Sequence, residues 1–287
     1  MQGGREMLGP GLWFVSTPIG AARDITLRAL DILATAEVLA AEDTRTLRHL
    51  MDIHGVPLGG RKVVAYHDHN APTARPRLLA ALAQGRSVAY ASEAGTPLLA
   101  DPGYDLARAA VAAGHPVRAA PGASALLAAL AVAGLPTDRF LFAGFPPATG
   151  PARRAWLKEL ATAGATVVIY EAPHRVRETL EDLVYCFGEE RQAALCRELT
   201  KRFEDVQRGS LARLRSLAEE TAPRGEYVIV VDRVPASVDG PGDVAAALRE
   251  ARRTMTVKDA AQAVAEATGL PRREVYRMAL GLQEDTE

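Results

Sequence analysis

Val88-Ala-Tyr-Ala-Ser-Glu-Ala-Gly-Thr-Pro-Leu-Leu-Ala-Asp-Pro-Gly-Tyr104 is the stretch on which the reading of the fold turns. Val88–Ser92 is a short apolar run of strand length, and beyond Gly103 the chain takes up the alanine-rich spacing of a helix. The twelve residues Ser92–Gly103 are a long connection for a strand-to-helix turn, rich in Gly, Pro and hydroxyl side chains. Loops of that length and content tend to carry function. Ala94 and Gly95 open space beside the backbone, while Ser92, Glu93 and Thr96 offer hydrogen-bonding side chains.

Outward from this unit the same alternation repeats. Strands are expected at Leu12–Ser16, Val38–Ala41, Val63–Tyr66, Val88–Ser92 and Val117–Ala120, then at Phe140–Ala143, Thr166–Tyr170, Ala193–Arg197 and Tyr227–Asp232. Between them apolar residues recur at helical spacing, as at Leu27, Leu30, Ile32 and Leu33, or Leu78, Leu79 and Leu82. This alternation predicts an α/β chain with mainly parallel sheets. No sequence echo at about 33–45 residues points to a solenoid or propeller. The turn Ala119-Ala-Pro-Gly-Ala-Ser124 opens a very apolar helix and sets a boundary near residue 121. The expected organisation is an α/β lobe over residues 1–121, a second over 122–235, and a helical tail over 240–287. Pro235, Gly240, Pro241 and Gly242 read as a linker.

Length and composition agree. The 287 residues fit about two domains at ~150 residues each. A hydrophobic fraction of 48% with 24% charged residues is globular and excludes a disordered or fibrous chain. No window approaches the ~18–20 apolar residues of a membrane helix. Met1-Gln-Gly-Gly-Arg-Glu6 has no apolar segment of the signal-peptide kind, so a cytoplasmic protein is expected. The net charge of -1 gives a polyanion no global attraction, so any nucleic-acid contact needs a local patch. Of the 34 basic residues only Lys62, Lys158, Lys201 and Lys258 are Lys, and the Arg majority suits bidentate phosphate contacts. Cys186 and Cys196, without a CxxC or a neighbouring His pair, predict inert buried thiols.

Open α/β sheets bind ligands outside the carboxyl ends of their strands, so the other turns matter too. Ser16-Thr-Pro-Ile-Gly-Ala-Ala-Arg-Asp24 follows the first strand; Pro18 and Gly20 let the backbone approach a ligand, and Asp24 or Thr26 caps the next helix. Neither GxGxxG nor GxxxxGK[ST] is present, which removes the main support for dinucleotide or P-loop binding. Ala41-Glu-Asp-Thr-Arg45 follows the second strand and starts a helix. Tyr66-His-Asp-His-Asn70 has His-x-His spacing but no third ligand, so no metal is expected. Tyr170-Glu-Ala-Pro-His-Arg175 puts Glu171, His174 and Arg175 on one rim. Together the turns outline a polar cleft between the lobes.

Read in order, these turns resemble the ribosomal small-subunit RNA cytidine 2′-O-methyltransferases of the tetrapyrrole (corrin/porphyrin) methylase superfamily. The match is carried by Thr17-Pro-Ile-Gly20, Ala41-Glu-Asp-Thr-Arg45, His67-Asp-His-Asn70, Ser92-Glu-Ala-Gly-Thr-Pro97 with Asp101-Pro-Gly103, Gly134-Leu-Pro136 with Asp138-Arg-Phe140, Pro173-His-Arg175 and Arg197-Glu-Leu-Thr-Lys201. The resemblance implies two α/β lobes of the tetrapyrrole methylase type, S-adenosylmethionine in the cleft between them, and a homodimer. It implies as substrate a cytidine ribose 2′-hydroxyl in the decoding region of 16S rRNA, in the small ribosomal subunit. Two positions depart from the pattern: Glu93 stands where the family has Asp, and Ala21-Ala22 where it has Asn-Leu. On this reading the cofactor contacts are Pro18, Gly20, Ser92, Glu93, Ala94, Gly95, Thr96, Asp101, Ser124, Ala125, Tyr170, Glu171 and Ala172.

Methyl transfer from a sulfonium is an in-line displacement that disperses charge, so an apolar, water-excluding cleft that aligns the reactants serves it. The helix after Pro121-Gly122, with Ala123, Leu126 and Leu127, suits one apolar wall. A ribose hydroxyl is a weak acid, and a base or a cation helps it react. Asp43, Arg45, His67, Glu171 and His174 are the candidates by residue type and position. In the tail, Thr256-Val-Lys-Asp259 reads as a capping box for a helix burying Val257, Ala260, Ala261 and Val264. Pro271 begins a second helix with Val275, Met278, Ala279 and Leu282 inward and Arg272, Arg273 and Arg277 outward. Such a pair resembles a helix-turn-helix or serves as a packing appendage. Arg175, Lys201, Arg202, Lys258, Arg272, Arg273 and Arg277 are the expected RNA contacts. A small-molecule methylase on the same scaffold, and a ligand-sensing helix-turn-helix DNA-binding protein, are the alternatives.

Overall fold

The computed structural model describes residues 8–99, 103–220, 222–234, 241–253, 255–268 and 270–284. Five strands, β1 (Gly11–Val15), β2 (Val38–Ala41), β3 (Val63–Ala65), β4 (Ser87–Ala91) and β5 (Val117–Ala120), form one sheet in the order β3-β2-β4-β1-β5. Every pairing in it is parallel. Helices α1 (Leu27–Thr35), α2 (Thr44–Ile53), α3 (Ala71–Ala83) and α4 (Tyr104–Ala112) cover both faces. The two-residue period of a strand separates the faces. Val15, Leu39, Ala41, Ala89 and Ala91 pack against Ile32, Leu33, Leu47 and Met51 of α1 and α2. Leu12, Phe14, Ala40, Val88 and Tyr90 pack against Leu78, Leu82, Leu106 and Ala110 of α3 and α4. Burial on both faces is why these strands read as unbroken apolar runs.

After α5 (Ala125–Ala133) a second sheet is built from β6 (Phe140–Gly144), β7 (Thr166–Glu171), β8 (Gln192–Arg197), β9 (Asp205–Ser210) and β10 (Tyr227–Val231), in the order β6-β7-β10-β8-β9. The expectation of mainly parallel sheets fails here: only β6–β7 is parallel, and β7–β10, β10–β8 and β8–β9 are antiparallel. The cause is β9, a strand the sequence reading missed. It joins β8 through a loop too short for a crossover helix, which forces an antiparallel pair. Its residues Asp-Val-Gln-Arg-Gly-Ser lie at the sheet edge with no fully buried position, so they lack the apolar signature of an inner strand. Helices α6 (Gly150–Ala161), α7 (Val176–Phe187) and α8 (Leu211–Glu220) cover one face through Leu157, Leu180, Leu183, Leu211 and Leu214. Helix α5 covers the other, where Leu126, Ala129, Leu130 and Ala133 meet Val168, Ala194, Cys196, Val228 and Val230.

By internal contact the chain divides into two compact units, Met1–Arg233, which holds both sheets, and Val234–Glu287. The second has three helices among its described residues, α9 (Pro241–Ala251), α10 (Val257–Thr268) and α11 (Arg272–Glu284). Val244, Leu248, Ala261, Val264, Ala265, Val275 and Ala279 form its core. The expected pair of helices is therefore a trio. Pro241 and Gly242, read as linker, begin α9, where proline's missing N–H and fixed φ suit the first turn. Asp259 N donates to Thr256 Oγ1 at 3.2 Å, as the capping reading requires. No helix among the described residues is long and apolar enough to cross a membrane.

Candidate active site

The strand ends of the two sheets meet around a cavity of about 500 Å³, within the ~300–1,000 Å³ of small-molecule sites. Glu42, after β2, and Glu93, Ala94, Gly95 and Thr96, after β4, come from the first sheet. Tyr170, Glu171, Ala172 and Pro173 come from the end of β7, and Glu226, Tyr227 and Val228 from the start of β10. Strand β10 presents its amino end because it runs antiparallel to β7. Ile19, Leu99, Ser124, Ala125 and Phe145 complete the lining.

The turn after β4 is held by its own hydrogen bonds. Gly95, at φ +78°, exchanges both backbone bonds with Thr17, at 2.9 and 3.1 Å. A Cβ there would stand 3.1 Å from Ile19 Cγ2, so glycine serves both the left-handed φ and the close approach. Ser92 Oγ donates to Gly95 O at 2.5 Å, and Thr96 Oγ1 to Ala123 O at 3.0 Å. Ser92 is thereby buried beneath the cavity and braces the turn instead of lining the space.

The aromatic wall is likewise built from below. Tyr170 OH accepts the backbone N–H of Leu126 at 2.9 Å, satisfying one orphan donor in the first turn of α5, and Ser124 caps the same helix through Leu127 N. Phe142 and Phe145 stand edge-on to the Tyr170 ring at 4.8 and 5.7 Å. Burial pushes the Tyr170 phenol above its ordinary range, so it stays neutral. Glu171 is 2% exposed and fully engaged. One carboxylate oxygen accepts from Ala172 N at 2.8 Å, the other from Thr179 Oγ1 at 2.5 Å, and Arg175 Nε lies 3.5 Å from the first.

At the mouth, the loop after β8 carries two non-glycine residues in the left-handed region, Glu198 at φ 51° and Thr200 at φ 66°. Such residues cost about 1–2 kcal/mol each. Lys201 Nζ donates to Glu198 Oε1 at 2.9 Å and to Glu226 Oε2 at 3.0 Å. Burial alone would lower the Lys201 ammonium, but these two hydrogen bonds outweigh it and raise it. Lys201 in turn holds the Glu198 carboxyl below the usual range. Gly20 sits against this loop: a Cβ there would meet Lys201 Cγ at 2.5 Å and Thr200 Oγ1 at 2.6 Å.

Of the residues singled out in the sequence, Glu93, Ala94, Gly95, Thr96, Ser124, Ala125, Tyr170, Glu171 and Ala172 line the cavity. Pro18, Gly20 and Ser92 do not; they fix the turns behind it. Asp101 lies outside the described residues. Thr26, not Asp24, caps α1, through Ala29 N at 3.1 Å, while Asp24 ends a short 3-10 turn. Asp43 caps α2 and pairs with Arg45 at 2.9 Å; the hydrogen bonds from Arg45 bring its carboxyl down to about 2, too low for an efficient base near neutrality. His67 is half-buried, with an Nδ1 that is buried and without a partner among the described residues, and does not line the cavity. His174 is exposed on the turn beside Pro173. Arg175 is committed to Pro146 O and Pro147 O at 2.7 and 2.8 Å, Lys201 to its two glutamates, and Arg202 is exposed over the Phe203 ring. Lys258, Arg272, Arg273 and Arg277 are exposed.

Sequence reasoning missed Ile19, Glu42, Leu99, Phe145, Pro173, Glu226, Tyr227 and Val228 as lining residues. Ile19, Glu42 and Pro173 lay inside stretches already singled out, whereas Glu226 required knowing that β10 is antiparallel. The lining carries Glu42, Glu93, Glu171 and Glu226 and, among the described residues, no Lys or Arg. Glu171 is paired with Arg175 and Glu226 with Lys201, which leaves Glu93 the more exposed carboxylate toward a cationic ligand.

Two α/β sheets that meet at a cavity of this kind define a class. Residues 11–215 match the family described as Tetrapyrrole (Corrin/Porphyrin) Methylases, and residues 238–283 match the RsmI C-terminal HTH domain. Among solved structures, uroporphyrin-III-C-methyltransferase from Thermus thermophilus aligns with a TM-score of 0.55 at 24% identity over 78% of this chain and 94% of its own. Diphthine synthase aligns with a TM-score of 0.58 at 18% identity, over 77% and 89%. At those identities the likeness is one of fold.

Sequence relatives narrow the group. A protein of Mesorhizobium japonicum named Ribosomal RNA small subunit methyltransferase I is 45% identical over 281 residues, 96% of this chain and 94% of its own. Proteins of the same name from Escherichia coli O157:H7 and a Synechocystis strain are each 39% identical, over 95% and 96% of this chain. The chain belongs to the tetrapyrrole methylase family and, within it, to the ribosomal RNA small subunit methyltransferase I group. Its cofactor is S-adenosylmethionine. The residues present fit that molecule: the exposed Glu93 for its charged end, and aromatic and small apolar side chains for its adenosine.

Proposed function

We propose that this protein transfers a methyl group to the ribose 2′-oxygen of a cytidine in the decoding region of 16S rRNA, with the small ribosomal subunit as substrate. The observation that carries the reading is the cavity at the strand ends, lined by Glu93, Phe145 and Tyr170, in a chain that also bears the helical C-terminal unit with exposed Arg272, Arg273 and Arg277. The cofactor supplies an electrophilic methyl group when bound. Glu93 and the backbone of Ala94–Gly95 hold its charged end, Phe145 and Tyr170 shield it from water, and Glu171 fixes the floor through Thr179, Ala172 and Arg175. On this assignment Asp43 and Arg45 organise α2 and Glu171 organises the floor.

The cavity admits a single nucleoside, while the RNA backbone is held by Arg202, Lys258, Arg272, Arg273 and Arg277. The lobes divide at 121/122, and the protein works as a cytoplasmic homodimer, as the family resemblance implies. Nucleoside mass mapping of small subunits lacking the modification, treated with this protein and S-adenosylmethionine, tests the reading. The expected result is one added methyl on the ribose of one cytidine. A methyl on a base, or transfer to a tetrapyrrole and not to RNA, would overturn it.

A further inference from the structure

Glu226 was not among the residues that the sequence singled out, yet its setting is unusually constrained. Its backbone N–H donates to Glu198 Oε1 at 3.0 Å, and its carbonyl accepts the N–H of Glu198 at 3.0 Å. Glu226 lines the cavity, and its carboxylate has Oε2 held by Lys201 at 3.0 Å and Oε1 without a partner among the described residues. The preceding Gly225, at φ +83°, leaves room for Glu198: a Cβ there would stand 2.5 Å from the Glu198 carboxyl carbon. The left-handed backbone at Glu198 and Thr200 and the close approach at Gly20 converge on the same few atoms. Ion pairs this exposed do little for stability, whereas strained residues gather where a structure sets reactive groups.

We propose that Glu226 is the proton acceptor for the hydroxyl that is methylated, and that Lys201 and Glu198 are positioning residues that aim its free carboxylate oxygen into the cavity. The inference rests on the ribose-methylation reading above. As the hydroxyl oxygen bonds to the methyl carbon, the carbon–sulfur bond breaks and its electron pair stays on sulfur. The hydroxyl proton goes to Glu226 Oε1 and from there to water, which reaches this side chain because it is 74% exposed. Lys201, read in the sequence as an RNA contact, thereby acts on Glu226 and not on phosphate.

The test is single-turnover methyl transfer to small subunits at saturating cofactor, across pH, with calorimetry of S-adenosylmethionine binding alongside. Glu226→Gln is expected to slow transfer by about 10²–10⁴-fold, to abolish the rise of rate with pH, and to leave cofactor affinity within threefold. Lys201→Met is expected to slow transfer at unchanged cofactor affinity, because the carboxylate loses the hydrogen bond that holds it, and Lys201→Arg should restore the rate. A Glu226→Gln enzyme within threefold of wild type, or one slowed only through weakened cofactor affinity, would overturn the proposal. So would a Lys201→Met enzyme that transfers at the wild-type rate. A wild-type enzyme that places its methyl elsewhere than on a ribose refutes the underlying reading, which is separable because the mapping uses no variant.

Discussion

Gly95 shows how one residue sets a binding surface. Its left-handed φ, its paired bonds to Thr17 and the 3.1 Å approach of Ile19 to an added Cβ all exclude a side chain. Gly95→Leu would strain the turn by about 1–2 kcal/mol, which a chain with two full cores tolerates, and would fill the cavity. S-adenosylmethionine affinity is expected to fall at least tenfold by calorimetry while the circular dichroism spectrum stays that of the folded protein; unchanged affinity would remove the cofactor from this cavity. At this scale much was legible, because Ser92–Thr96 carries its chemistry in residue types that favour turns and Tyr170–Ala172 stands at the end of an expected strand. Glu171 and Asp43 were legible as acids but not as braces. Whether a carboxylate is free or already bonded depends on Thr179 and Arg175 in one case and on the direction of Arg45 in the other.

Among the elements, α5 joins the fold to the site most directly. Its apolar length packs on the second sheet, while its first turn faces the cavity and is tied to Tyr170. Tyr170→Phe leaves the Leu126 N–H without its acceptor and is expected to cost about 1–2 kcal/mol in urea unfolding. It should also weaken cofactor binding several-fold by freeing the wall formed with Phe145. A full-strength α5 and unaltered affinity in that variant would show that the hydroxyl serves neither. The second sheet marks the limit of element-scale reading. Strands β7 and β10 announce themselves by buried β-branched residues and β8 by a buried apolar run, whereas β9 is an edge strand with polar, half-exposed positions. The antiparallel turn it imposes is what brings the amino end of β10, and Glu226 with it, to the cavity.

At the scale of the whole molecule, the division at 233/234 separates the cavity-bearing unit from the helical one. A chain ending at residue 233 is expected to fold and bind S-adenosylmethionine with unchanged affinity but to methylate small subunits poorly. Replacing Arg272, Arg273 and Arg277 together by Ala should weaken RNA binding and reduce its salt slope by about 0.7–0.9 for each phosphate that is no longer neutralised. Full activity of the truncated chain, or an unchanged slope in the triple variant, would make the C-terminal unit a structural appendage.

What the sequence by itself determined is local and periodic. Short apolar runs marked nine of the ten strands, most of them covered on both faces and apolar for that reason, while β5 and β6 keep exposed positions. Glycine, proline and hydroxyl content marked the turns where backbone must approach a ligand, and the capping residues Thr256 and Asp259 marked the start of α10. The tertiary structure decided which carboxylates are engaged, where the unforeseen β9 pairs, and that Glu226 stands beside the residues of β4 and β7. Those outcomes depend on strand direction and on contacts between residues far apart in the chain, which no local pattern of side chains encodes.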